Sequence, residues 1–176
     1  EDPSFFAEFL VPLSGSGVRR DGTPDATLTE AGVSAQKLRH LDLLLHAPYV
    51  LDLRAGGSVP VTAPATIRVP NPASFIAQKL LIAETSHPTA GIHLLYVHDT
   101  LELFADRLEH VRSEWRAGVA PLVAQRTLDT LAHRASREYS SVSDTLRRAA
   151  AIAPGRVLDP ASMRAVPRDG VAAIFT

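Results

Sequence analysis

Apolar and polar positions alternate at the start of the chain and recur at helical spacing in its later half. From Ser4 to Leu13, Phe5, Ala7, Phe9 and Val11 fall on one side and Phe6, Glu8 and Leu10 on the other. That period of two, with aromatic and β-branched residues, predicts a strand. Gly15 to Thr29 is rich in glycine, serine and threonine and predicts a surface loop. Leu38, Leu41, Leu44 and Leu45 recur at helical spacing and predict a helix over Ser34 to His46. Tyr49 to Leu53 predicts a strand, Gly56-Gly57 a turn, and Val59 to Val61 with Thr66 to Val69 one or two further strands. Asn71-Pro72 marks a helix start, because asparagine caps free amides and proline suits the first helical position. That helix should run to about Thr85 and stop at Ser86-His87-Pro88. Further helices are expected over Gly91 to Arg116 with a break near residue 106, Pro121 to Ala135, and Tyr139 to Ala153. A short one should begin at Asp159-Pro160.

Prolines crowd the first 72 residues, whereas only Pro88 and Pro121 lie between Ala73 and Ala153. The expected fold is therefore α+β: a strand-rich part over 1–70, its small sheet packed against a helical region over 71–176. At 176 residues such a chain can bury a core without covalent staples. Cysteine is absent, so there is no disulfide partner, no thiolate zinc site and no cysteine nucleophile. A net charge of −1 and 6% aromatic residues offer neither a basic field nor a stacking platform for nucleic acid. No apolar run approaches the roughly 20 residues that span a bilayer. Glu1-Asp2-Pro3 is not a basic signal start, so a cytoplasmic protein without a membrane partner is expected.

Lys37 and Lys79 are the only lysines among 18 basic residues. Lys79 falls on the apolar stripe of Phe75, Ile76, Leu80 and Ala83, four residues from Phe75 and from Ala83. An amine there either lays its stem on the core with the head in water, or points into a cleft where it can hold a phosphate. Asp99 lies four residues from Leu95 and from Leu103, flanked by Glu102 and Asp106. It is either the partner of Lys79 across two consecutive helices or part of a solvated face. Glu8, in mid-strand, is either a rigidly held metal ligand or an exposed carboxylate. The histidines form no recognisable zinc pattern, since His93 and His98 are five apart and His40 and His46 six. No GxSxG elbow or phosphate-binding loop is present.

Four segments in order resemble a known family: Phe9-Leu10-Val11-Pro12-Leu13, Gly32 to Asp42, Val69 to Leu80, and Tyr96-Val97-His98-Asp99-Thr100. The order is similar to the later portion of bacterial nucleotidyltransferase-like proteins named for a Gly-Ser-Leu-Pro-Phe motif. These are relatives of abortive-infection toxin nucleotidyltransferases in the polymerase-beta-like superfamily. The resemblance covers residues 4 to 104. It implies Mg2+-dependent transfer of a nucleotide from a nucleoside triphosphate to an acceptor that the sequence does not identify, whether a protein hydroxyl, RNA or a small molecule. It also implies that Glu8 is the third metal carboxylate, Lys79 the helix lysine that meets the triphosphate, and Asp99 the acidic residue of the next helix. The family's Gly-Ser and Asp-x-Asp pair is missing, because Gly15-Ser16 with Asp21 and Asp25 has the wrong spacing. The chain is then either the C-terminal portion of a longer protein, which the abrupt first strand favours, or a degenerate member of the family; in both cases it is expected to be inactive alone. The competing reading is a non-catalytic α+β interaction module.

Overall fold

A computed structural model describes residues 8–54, 56, 57, 59, 61–83, 89–152 and 155–175. It is an α+β protein of two compact units, Glu1–Asp42 and Leu43–Thr176. In the first unit, β1 (Leu10–Pro12) pairs in parallel with β3 (Val33–Leu38), and β2 (Thr27–Glu30) pairs antiparallel with β3. Ala31 and Gly32 turn β2 into β3 with φ of 49° and 81°, the left-handed pair that suits the twist of a two-residue hairpin. Lys37 donates to both carboxylate oxygens of Asp25 at 2.8 Å, tying β3 to the loop before β2. That hydrogen bond holds the Asp25 carboxyl below the usual range. Ala35 is the one buried residue among those described in this unit.

The helix expected over Ser34 to His46 is a strand followed by a 3-10 turn, Leu41–Leu45. His40 explains the division: its φ of 57° is left-handed, and no right-handed helix continues through it. Of the four leucines in the pattern, Leu38 ends β3 and Leu41, Leu44 and Leu45 lie in the turn. The expected first strand shortens to Leu10–Pro12, which leaves Glu8 outside it; residues 4 to 7 lie outside the described residues. The expected loop from Gly15 to Thr29 includes the start of β2.

In the second unit, β4 (Tyr49–Leu53) and β5 (Ala65–Val69) form a separate antiparallel pair, with Tyr49 opposite Val69. The strands of residues 10 to 69 thus make two sheets, and neither Val59 nor Val61 is in a strand. Six α-helices follow among the described residues: α1 (Pro72–Ile82), α2 (Ala90–Leu103), α3 (Leu108–Glu114), α4 (Gln125–Glu138), α5 (Asp144–Ile152) and α6 (Pro160–Phe175). The expected break near residue 106 is the 3-10 turn Ala105–Arg107 between α2 and α3. The expected stop at Ser86-His87-Pro88 lies outside the described residues. The α5 helix starts five residues later than Tyr139, where the Ser143 hydroxyl accepts from the Leu146 amide. The final helix is long rather than short: it carries Pro167 in its interior, where the ring is buried against the core.

Helix α2 is the centre of this unit and packs on α1, α5 and α6. Its apolar residues occur on most of its faces, as a surrounded helix requires. Two glycines allow the close approaches. A Cβ on Gly91 would lie 3.4 Å from the Ala149 backbone nitrogen, and one on Gly170 would lie 2.7 Å from Leu101 Cδ2.

Asn71 sets the start of α1. Its side-chain oxygen accepts from the Ser74 amide at 2.8 Å, and its Nδ2 donates to the carbonyls of His46 at 2.9 Å and Ala47 at 3.0 Å. The residue is fully buried. Tyr49 adds a second tie, donating to Glu114 at 2.7 Å. Burial and then that carboxylate push its phenol up to about 12. Replacing Asn71 by Ala removes the cap and both carbonyl bonds, and should cost about 2 kcal/mol in urea unfolding. Asn71→Asp, an equally good cap in isolation, should cost a similar amount, because an acceptor then faces two carbonyls. Wild-type stability for the Asp variant would reduce Asn71 to a simple cap.

Candidate anion site on the first two helices

With α1 fixed at Asn71, Ile76, Ala77 and Leu80 enter the core, and Phe75 and Lys79 lie side by side on the rim of that face. Tyr96 of α2 meets Phe75 with ring centroids 6.3 Å apart. The Lys79 ammonium rests over both rings, 4.9 Å from the Phe75 centroid and 5.6 Å from the Tyr96 centroid. It has no hydrogen bond or ion pair among the described residues. Half-buried among apolar atoms, its amine is held below the ordinary lysine value by desolvation. Ring faces attract a cation but do not neutralise it. A phosphate oxygen would supply the missing negative charge.

Asp99 does not pair with Lys79. Both its oxygens accept from Arg156, at 2.9 and 2.8 Å, a contact spanning 57 residues of sequence. The expected Lys79–Asp99 bridge therefore fails. Tyr96 occupies the space beside the ammonium, while Asp99 reaches the segment that leads into α6. On the next turn of α2, His98 is buried at 1% exposure, four residues after Leu94 and three before Leu101 on the core side. Its Nδ1 lies 3.3 Å from Asp99 Oδ1 and 3.7 Å from Glu102 Oε2. His98, Asp99 and Glu102 each offer a ligand atom within 4.8 Å of the others, so the trio could hold a metal ion. The opposite ring nitrogen, Nε2, is buried without a hydrogen-bond partner among the described residues.

Of the three residues singled out in the sequence, Lys79 and Asp99 are on adjacent packed helices, and Glu8 is an exposed residue of the first unit. Sequence reasoning missed Tyr96, His98 and Arg156 as members of the site. The four-residue spacing of His98 and Glu102 was an available signal for one helix face. Nothing local announces Arg156.

The fold and this site define an α+β protein whose second unit presents a half-buried cation, unpaired among the described residues, over two aromatic rings. Residues 1–111 match the sequence profile of a family described as nucleotidyltransferase, and the chain belongs to that family. The match spans all the strands, α1 and α2, and ends within α3. No functionally curated protein and no solved structure matches the chain. Among the described residues, no helix is long and apolar enough to cross a membrane.

The lowered amine of Lys79 has a defined pH consequence. A lysine whose folded value lies below its unfolded one opposes folding while charged. That opposition is complete below the folded value and fades as pH rises toward 10.5. Lys79→Met, which keeps the stem, should therefore melt slightly above wild type at pH 7. The gap should close as the pH is raised toward 10. A variant less stable than wild type at pH 7 would show that the ammonium has an anionic partner.

Proposed function

We propose that this chain supplies the triphosphate-receiving helices of a nucleotidyltransferase, which moves a nucleotide from a nucleoside triphosphate to an acceptor hydroxyl on protein or RNA. The observation that carries the reading is Lys79: a half-buried ammonium, steadied by two ring faces, with no anion on it among the described residues. In the transfer, an acceptor oxygen attacks the α-phosphorus and the bond to the bridging oxygen breaks. Pyrophosphate leaves, and the acceptor proton passes to a base. Lys79 stabilises negative charge on the phosphates as it builds up, the standard role of a positioned cation in this chemistry. Asp99 acts as a positioning residue that holds Arg156 next to the same helix face.

Family membership implies a divalent metal, which in such enzymes neutralises phosphate charge and activates the attacking oxygen. The residues here are a poor match for magnesium. That ion requires near-octahedral oxygen ligands, whereas α2 offers an imidazole nitrogen and an Asp99 carboxylate already engaged by a guanidinium. The trio suits a borderline transition ion better. Glu8, the metal carboxylate that the resemblance implies, is exposed and contributes one carboxylate. No step is therefore assigned to magnesium on this chain, and the Asp-x-Asp pair is absent from its sequence.

A fluorescent nucleoside triphosphate should bind the purified chain, and Lys79→Met should weaken that binding about tenfold or more, the effect of losing one charge-assisted hydrogen bond. Lys79→Arg should retain part of it. With labelled triphosphate and Mg2+, the chain alone should label neither itself nor added RNA. Binding unchanged in Lys79→Met would refute the site, and labelling abolished by Glu8→Gln would show that the chain carries the full chemistry.

A further inference from the structure

The second unit holds a cleft that the nucleotide reading does not use. It lies between α4 and α6, beyond the residues matched to the family, and has a volume of about 370 Å³. That is within the range of about 300–1,000 Å³ typical of small-molecule sites. Ala132 and Ala135 of α4 are small enough to leave the space open, and Val171 and Phe175 of α6 close the other side. Phe175 is a fixed wall, because its ring stands edge-on to Trp115 with centroids 4.7 Å apart.

The polar groups of the lining are unequal in sign. Arg164 donates from Nε to the Tyr139 carbonyl at 3.2 Å, which anchors the guanidinium at the cleft while its terminal nitrogens have no partner among the described residues. Arg168 also lines the cleft and is paired with Asp169 at 2.7 Å. Asp169 is paired with Arg168 and also lies close enough to feel the charge of Arg164, so the two arginines share one carboxylate and a net charge of one remains. An apolar slot whose charged groups sum to one positive charge suits a ligand with an apolar body and one negative charge.

We propose that this cleft binds a small amphipathic carboxylate, its hydrocarbon body between Ala132, Ala135, Val171 and Phe175 and its carboxylate on Arg164. The bidentate fork of a guanidinium matches a carboxylate in shape as well as charge. The burial of the hydrocarbon body provides most of the driving force, and the arginine selects the head group. A dianionic phosphate would exceed the one charge available, and an uncharged alcohol would leave Arg164 unanswered.

The test uses the full chain with decanoate as probe and decanol and acetate as comparators, followed by calorimetry and thermal shift. Decanoate should bind with one-to-one stoichiometry and raise the melting temperature. Decanol should bind about tenfold more weakly, and acetate should not bind measurably. Arg164→Gln should remove the preference for decanoate over decanol, and Arg164→Lys should keep it. Ala135→Phe, which fills the slot, should abolish binding of both. Equal affinity for decanoate and decanol in the wild type would overturn the proposal without any variant having to fold. So would decanoate binding that is unsaturable, absent, or unchanged in Ala135→Phe.

Discussion

Three hydrogen bonds converge on the buried side chain of Asn71, and the geometry of α1 and α2 depends on them. The oxygen starts α1, and the nitrogen holds the carbonyls of residues 46 and 47 just before β4. One side chain thus fixes where α1 begins and how it is rotated about its axis. Rotation decides which residues are buried. Because Ile76, Ala77 and Leu80 must face inward, Phe75 and Lys79 come to the rim, where Tyr96 of the next helix meets them. The close approaches at Gly91 and Gly170 hold α2 between its neighbours, so the ring of Tyr96 is placed by packing rather than by a polar contact.

The electrostatics follow from that placement. Lys79 cannot reach full solvation, and the aromatic rings beside it replace only part of the lost water. The nearest acidic stretch of α2 is oriented elsewhere. Asp99 answers Arg156, and His98 is turned toward the core with its Nδ1 near two carboxylates. An ammonium left in this condition weakens the fold slightly and strengthens any anion that docks on it. Binding sites commonly accept that exchange, since a pre-paired lysine would have to lose its partner before a phosphate could take its place.

Much of this was legible in the chain. Asn71-Pro72 announced α1 because capping is a local interaction, and the four-residue spacing of Phe75 and Lys79 placed the amine on an apolar face. The break expected near residue 106 is the 3-10 turn between α2 and α3. What failed was non-local. The Leu38 to Leu45 spacing imitates a helix, but His40 adopts a left-handed conformation that no pattern of apolar residues reveals. The short helix expected from Asp159-Pro160 is the long α6, which continues through Pro167 because tertiary packing buries the ring. Arg156 could not be matched to Asp99 from sequence, since the contact exists only after α2 and the segment before α6 have folded together. Glu8 had an alternating neighbourhood, but among the described residues of that segment the strand paired with β3 is Leu10–Pro12.

The chain's two lysines allow a direct test of the central claim, that Lys79 is an unanswered cation awaiting a polyphosphate. With isotope-labelled lysine, the side-chain resonances reduce to Lys79 and Lys37, the latter already bound to Asp25 and so an internal control. In the free protein, Lys79 should titrate below the ordinary lysine value. Saturating inorganic triphosphate should raise its titration point and shift its resonance, while the Lys37 resonance stays in place. A Lys79 that titrates at the ordinary value and does not respond to triphosphate would contradict the account.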